Sequence, residues 1–308
     1  MALKFRNTGS QIPERWLSTT GTVAHFAPEY SYWKIPYIDN VIGPGRNNAR
    51  MADYTVTRSG EYYNRKGCNI HLCRMDLPGS AIRKSEWGLV ASPELTFLQL
   101  AQTLDIQRLI LLGIQMCAHP PGRQRDALTT KNKLRALLKK MPGFNGIRKA
   151  NRAVQYIEGG SASIMESLVY MLLTLPNNLG GHGLRGARFN AEIRLNRKTA
   201  NRLRQNYCYV DLFYGEPKVA IEYDSFAFHN TPSEQGRDAI RSAILRKRGI
   251  ELMHLKTIQL YDDSAWDDFV ANLAQRLGKQ INIRTEKFDD MHRQLRSLLP
   301  GASENESP

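Results

Sequence analysis

The chain has 308 residues, with 43 Lys and Arg against 29 Asp and Glu, a formal net charge of +14, and 42% hydrophobic residues. This length admits one large domain or two, and the composition suits a globular fold with a packed core rather than a disordered or fibrous chain. No apolar run approaches the roughly 20 residues that span a bilayer, and the opening Met-Ala-Leu-Lys-Phe-Arg lacks an apolar signal core; a cytoplasmic protein with no membrane partner is expected.

A basic surplus spread through a folded chain favours a polyanionic partner. With no lipidation motif or amphipathic anchor, nucleic acid is favoured over anionic lipid. The four cysteines do not make a disulfide scaffold. In Cys68-Asn-Ile-His71-Leu-Cys73 the alternation of a strand splits the possible ligands between two faces, so buried thiols are expected rather than a zinc site.

Residues 1–91 carry scattered aromatics (Trp16, Phe26, Trp33, Tyr37) and turn signals such as Gly43-Pro-Gly, and read as a β-rich N-terminal region. Ser92-Pro93-Glu94 then opens a helix: an N-cap serine, proline in the first turn and an acid beside it. Phe97, Leu100, Ala101 and Leu104 form its apolar stripe. A second helix covers about 105–117. Residues 123–152 are dense in Arg and Lys, with Leu134, Leu137, Leu138 and Met141 on one helical face. Arg123, Arg125, Lys131 and Arg135 are candidates for phosphate contact; the plain alternative is a solvated helix surface. The sequence thus divides into 1–91, a helical basic region at 92–158, a domain from the Gly159-Gly160 break to 299, and a disordered tail at 300–308.

Within the third segment, a helix is expected from Ser161 to Leu175, with Ile164, Leu168, Leu172 and Leu175 facing inward. Ser163-Ile-Met-Glu166 fits a capping box, in which the carboxylate satisfies a backbone N–H at the helix start. The run Gly180-Gly-His-Gly-Leu-Arg-Gly186 lacks the Lys-Ser/Thr of a P-loop and reads as a flexible connection near DNA, with Arg185 and Arg188 as phosphate contacts. A strand follows over about 189–195.

Residues 207–229 read as two strands joined by the turn Gly215-Glu-Pro-Lys218. Asp211 lies in the first strand; Glu222 and Asp224 lie in the second, in Val-Ala-Ile-Glu-Tyr-Asp. Side chains alternate across a strand, so Glu222 and Asp224 share a face. Three acids crowded on a hairpin repel one another and are costly to desolvate. A hard divalent cation with oxygen ligands is the simplest compensation; the alternative is a solvated face opposite Ile221 and Tyr223. A helix over about 233–248, capped by Ser233, projects Arg237, Arg241 and Lys247. Gly249 ends it, a strand runs from Ile250, and closing helices cover about 267–277 and 286–299.

Asp211, Glu222-x-Asp224, and then Ser-Phe-Ala-Phe-His229 resemble the PD-(D/E)XK nuclease superfamily, in particular the bacterial branch related to very-short-patch-repair endonucleases. The helix with Asp238 and Arg241, the strand after Gly249 and the upstream Gly-Ser-Ala-Ser-Ile-Met-Glu166 extend the likeness over roughly residues 160–262. The passage from Asn69-Ile-His-Leu-Cys to Ser92-Pro-Glu-Leu more loosely resembles abortive-infection antitoxin-related proteins. The superfamily's usual lysine is replaced here by Asp224, a departure that the branch shares.

The resemblance implies an α/β (α+β) fold with a restriction-endonuclease-like core, a mixed central sheet flanked by helices. It implies Mg²⁺, with Mn²⁺ able to substitute, on Asp211, Glu222, the Tyr223 carbonyl and Asp224, or Asp224 as the base that orients water. It gives Glu166 a rival role, pointing into the metal site, which one carboxylate cannot easily combine with capping. His229 would protonate the leaving oxygen or contact phosphate, and Arg241 would neutralise the phosphate, unless it only pairs with Asp238. The expected activity is metal-dependent DNA cleavage, in phage defence or mobile-element biology, with a homodimer or an operon partner compatible with it. The alternatives are a DNA-binding regulator or antitoxin-like protein with a non-catalytic nuclease-like domain, and an RNA-processing nuclease.

Overall fold

A computed structural model describes residues 22–25, 33–35, 37, 41, 52–64, 68–85, 88–224 and 232–301. His229 lies outside the described residues, as does most of the tail. The chain forms two compact units: residues 1–116 with 128–155, and residues 117–127 with 156–308. Most of the β-rich and helical basic segments therefore fold together, while the 117–127 segment belongs to the second unit.

The first unit contains β1 (Thr22–His25), β2 (Ala52–Val56), β3 (Cys68–Leu72), β4 (Ile82–Ser85) and β5 (Gly88–Ala91), in the order β3-β2-β1-β5-β4. Its helices include α1 (Pro93–Leu100), α2 (Ile106–Met116) and α3 (Lys131–Lys140). The expected start of α1 forms: Ser92 Oγ accepts the Leu95 N–H at 3.2 Å. Leu109 to Leu112 and Ile114 are all fully buried, making α2 the core helix of this unit. On α3 the leucines 134, 137 and 138 are buried and the basic residues face solvent, as the helical period requires. Helix α4 (Ile147–Tyr156) follows.

The second unit is a mixed α/β assembly. Helix α5 (Ile164–Thr174) leads into β6 (Ala187–Arg194), a short helix α6 (Arg197–Leu203) absent from the sequence expectation, β7 (Tyr207–Tyr214) and β8 (Val219–Asp224). Helix α7 (Pro232–Lys247) crosses to β9 (Glu251–Lys256). The strand order is β6-β7-β8-β9; the first three run antiparallel, and β9 lies parallel to β8. Alternation buries Cys208, Val210, Leu212 and Tyr214 of β7. Along β8, Val219, Ala220 and Ile221 are buried, Glu222 and Tyr223 half-buried, and Asp224 exposed. The turn end of the hairpin is therefore core, and the far end opens to solvent.

The Gly180–Gly186 run corrects an expectation. It is no flexible connection: His182 and Leu184 are buried, and their N–H groups donate to the Leu172 and Leu173 carbonyls at 2.9 and 2.8 Å. Gly180 and Gly181 allow close approach, since a Cβ on either would sit 2.3 Å from a carbonyl oxygen, that of Met291 or of Leu175. His182 Nε2 accepts the Trp266 Nε1–H at 3.0 Å, which ties the run to α9 (Asp263–Arg276), reached through the short α8 (Thr257–Tyr261). Helix α9 begins four residues ahead of the expected 267 because Asp262 caps it, accepting the Ala265 N–H at 2.7 Å. Helix α10 (Phe288–Arg296) adds Phe288 and His292 around His182. Among the described residues no helix is long and apolar enough to cross a membrane.

Candidate functional site

The register of the second sheet assembles the site. Leu212 pairs with Ile221 across β7 and β8; continuing that register by one places Asp211 opposite Glu222, with both side chains on one face. Glu222 in turn pairs with His254 of β9. On the other side, Phe189 pairs with Leu212 and Ala191 with Val210, leaving Asn190 across from Asp211. A polar row, Asn190-Asp211-Glu222-His254, thus crosses the open end of the sheet. The next row holds Glu192 paired with Tyr209, and Asp224 paired with Lys256.

Each acid has a distinct set of contacts. Asp211 Oδ2 accepts the Tyr223 main-chain N–H at 2.9 Å. Glu222 forms an ion pair with Arg241, which reaches across from α7 and also donates to the Tyr209 carbonyl. Asp224 Oδ2 lies 3.0 Å from His254 Nδ1. Burial raises the pKa of Asp211, against the Tyr223 hydrogen bond and the Arg241 charge. Burial also raises that of Glu222, again against Arg241 and with Asp211 adding to the rise. Asp211 thus disfavours the charge on Glu222, and Asp224 disfavours the charge on both.

Glu166 answers the question left by its two readings. The capping half forms, with Ser163 Oγ accepting the Glu166 N–H at 3.1 Å. The reciprocal bond is displaced by one residue: Glu166 Oε2 accepts from Ala162 N at 3.0 Å, not from Ser163. The same oxygen accepts from Asn190 Nδ2 at 2.8 Å. Burial pushes this carboxyl up to about 7, and the negative field of Asp211 adds to that. One carboxylate oxygen both braces the helix start and bonds Asn190 beside Asp211.

Two residues of the site were missed by sequence reasoning. Asn190 adopts φ 44°, outside the usual region for a side-chain-bearing residue; its Nδ2 also donates to the Gly160 carbonyl at 2.9 Å. His254 reads only as a strand residue until the β8–β9 register is known.

The expected phosphate-contacting residues divide between the units. Lys131 and Arg135 belong to the first, where Lys131 Nζ donates to the Gln155 carbonyl at 3.1 Å. Arg123, Arg125, Arg185, Arg188 and Lys247 are exposed in the second. Arg188 pairs with Phe213 and so shares the face of Asp211. Arg123 forms an ion pair with Asp126 at 2.6 Å. Their loop meets the sheet where Gly122, at φ 74°, faces Tyr209: a Cβ there would lie 2.8 Å from the Tyr209 hydroxyl oxygen. Arg237 lies on α7, but its side chain, like that of Asp238, is outside the described residues.

Among the described residues no three His, Cys, Asp or Glu side chains converge as a metal-binding group. The chemistry of the donors nonetheless fits a hard cation. Mg²⁺ takes one or two carboxylates and completes its shell with water and substrate phosphate, and Asp211 and Glu222 are two oxygen-donor side chains facing each other at the open sheet end.

Comparison with protein-family models, with curated proteins and with solved structures gives no match to this chain.

Proposed function

We propose that this protein is a metal-dependent endodeoxyribonuclease whose second unit has a restriction-endonuclease-like core. One observation carries the reading: Asp211 and Glu222 face each other, flanked by Glu166 and Asp224, at the solvent end of a mixed sheet with helices packed on it. Burial and the charge of neighbouring acids both raise the pKa of Asp211 and of Glu222, an unfavourable arrangement for acids with only a surface role. The order α5-β6-α6-β7-β8-α7-β9, with β9 parallel to β8, fits the mixed, helix-flanked sheet that the resemblance implies.

Asp211, Glu222 and the Tyr223 carbonyl would hold Mg²⁺ or Mn²⁺. When bound, the cation polarises the phosphoryl oxygen and lowers the pKa of a coordinated water. In such a hydrolysis a water oxygen would form the new bond to phosphorus as the bond to the leaving sugar oxygen breaks. Asp224 lies 3.0 Å from His254 Nδ1, which supports a role for that imidazole as the group that would take the water's proton where the usual lysine is absent. Glu166, with a carboxyl that titrates near neutrality, is a second proton-transfer group beside Asp211. Arg241 supplies positive charge to the phosphate, and His229 remains the candidate donor to the leaving oxygen. DNA is the proposed partner; Arg188, and Arg125 on the loop packed at Tyr209, would guide its backbone.

The Glu222–Arg241 ion pair is the observation that favours the second reading, a DNA-binding regulator with a non-catalytic domain, because it neutralises an acid without a metal. Supercoiled plasmid incubated with Mg²⁺, Mn²⁺ or EDTA decides between them, beside Asp211→Ala and Glu222→Ala. Metal-dependent nicking lost in both variants supports the nuclease. Specific DNA binding without cleavage under any metal supports the regulator, and preferential cleavage of structured RNA redirects the activity to RNA.

A further inference from the structure

Glu222 is the most enclosed acid of the row with a cationic partner: its side chain is 13% exposed, and that of Arg241 is 28% exposed. The guanidinium is held from two sides, by Glu222 and by the Tyr209 carbonyl on the neighbouring strand. Its Nε is buried and has no hydrogen-bond partner among the described residues. Arg241 is therefore paired with one of the two facing carboxylates while its Nε–H has no acceptor among the described residues.

Glu222 is a proposed metal ligand, and in this structure its carboxylate is paired with the Arg241 guanidinium. A guanidinium and a divalent cation on the same half-buried carboxylate would repel each other and compete for its oxygens. A substrate phosphodiester offers the guanidinium another anion, with two phosphoryl oxygens spaced for its fork of N–H donors, in place of Glu222.

Resting on the nuclease reading above, we infer that Arg241 and the divalent cation are alternative partners of Glu222, and that a substrate phosphate exchanges one for the other. In the free protein Arg241 closes the carboxylate pair. A bound strand draws the guanidinium onto its phosphate, Glu222 is released, and the cation site completes itself. Metal and nucleic acid then bind cooperatively, each strengthening the other by the same factor.

Mn²⁺ binding to the full chain, read by calorimetry with and without an oligonucleotide carrying non-cleavable phosphate analogues, tests this. In the wild type the oligonucleotide tightens Mn²⁺ binding about 10-fold or more, within the usual range of coupling between sites. Arg241→Gln removes the competing cation, so it binds Mn²⁺ alone more tightly than the wild type does. Its coupling to the oligonucleotide falls to less than about 3-fold, below that range. Arg241→Lys, which keeps the charge, stays close to the wild type in Mn²⁺ affinity and provides a folded control. Equal Mn²⁺ affinity of the wild type with and without the oligonucleotide overturns the exchange while leaving a metal-dependent nuclease intact. Failure of Mn²⁺ to bind under either condition overturns both.

Discussion

The Tyr223 main-chain N–H donates to the Asp211 carboxylate at 2.9 Å, beyond the last described pair of the β7–β8 ladder, Leu212 with Ile221. A side chain thus takes the place of a strand carbonyl where the hairpin opens. Asp211 has a structural task as well as its proposed chemical one, and the two can be separated. Asp211→Ala leaves a part-buried N–H unpartnered and should cost about 1–3 kcal/mol. Asp211→Asn keeps an acceptor oxygen and loses the charge, so it should cost less than about 1 kcal/mol. Urea unfolding measures both. Metal-dependent nicking should vanish in both, including the stable Asn variant. A nicking-competent Asn variant would show that Asp211 serves the fold alone.

Glu166 makes stability depend on pH with a definite sign. Its carboxyl is raised from 4.5 to about 7 by burial first, with Asp211 adding to it. Between those values the folded chain holds a proton that the unfolded chain has lost, so this group's stabilisation is present at low pH and declines as pH rises from about 4.5 to 7. Glu166→Gln keeps an acceptor for Ala162 and does not titrate. The stability of the variant relative to wild type should increase between pH 5 and pH 8, by up to about 3 kcal/mol, since one proton bound by the folded chain alone is worth about 1.36 kcal/mol for each pH unit crossed. Taking the difference between the two proteins cancels the opposing titration of His182, whose pKa burial lowers to about 3. A pH-independent difference would mean that Glu166 titrates normally.

What the sequence made legible was local. The alternation of a strand put Glu222 and Asp224 on one face, and capping chemistry located the start of α1 at Ser92 and the cap of α5 at Ser163, although the helix expected from Ser161 begins only at Ile164. Pairings across long separations were not legible. His254 joins Asp224 only through the parallel register that α7 creates, thirty residues on. Asn190 escaped because its left-handed backbone breaks the period on which the strand reading depended. The Gly180–Gly186 run was misread because glycine serves two opposite needs, freedom in a loose loop and room in a crowded one. Only the neighbouring carbonyls distinguish the two.

His254 is the site residue whose removal should cost least in stability. It and Asp224 are both about half exposed, and an exposed pair of this kind is worth about 0–1 kcal/mol. Any loss of cleavage in a His254 variant is therefore chemical. His254→Asn keeps an N–H near the position of Nδ1 for Asp224 and lacks the second ring nitrogen; His254→Ala lacks both. If the imidazole carries the water's proton, both variants should lose about 10²–10⁴ in kcat, with DNA affinity unchanged in gel shift. If the histidine only steadies Asp224, the Asn variant should cleave like wild type.

The packed glycine run gives the sharpest test of the fold beneath the site. A Cβ on Gly181 would meet the Leu175 oxygen at 2.3 Å, a contact with backbone that no side-chain rotation relieves. Gly183, two residues on, has φ 73° and nothing within 4 Å of the same imagined atom. Gly183→Ala should therefore lose only what a left-handed backbone costs, about 1–2 kcal/mol. Gly181→Ala must move the end of α5 against β6 and β7 and should cost more than about 3 kcal/mol, above the usual penalty for overpacking. Because α5 carries Glu166, the same movement should disturb the acidic row some distance from the substitution. Thermal unfolding of the two variants orders them: if Gly181→Ala melts with or above Gly183→Ala, the run is loosely packed, and its hold on His182 and α9 fails with it.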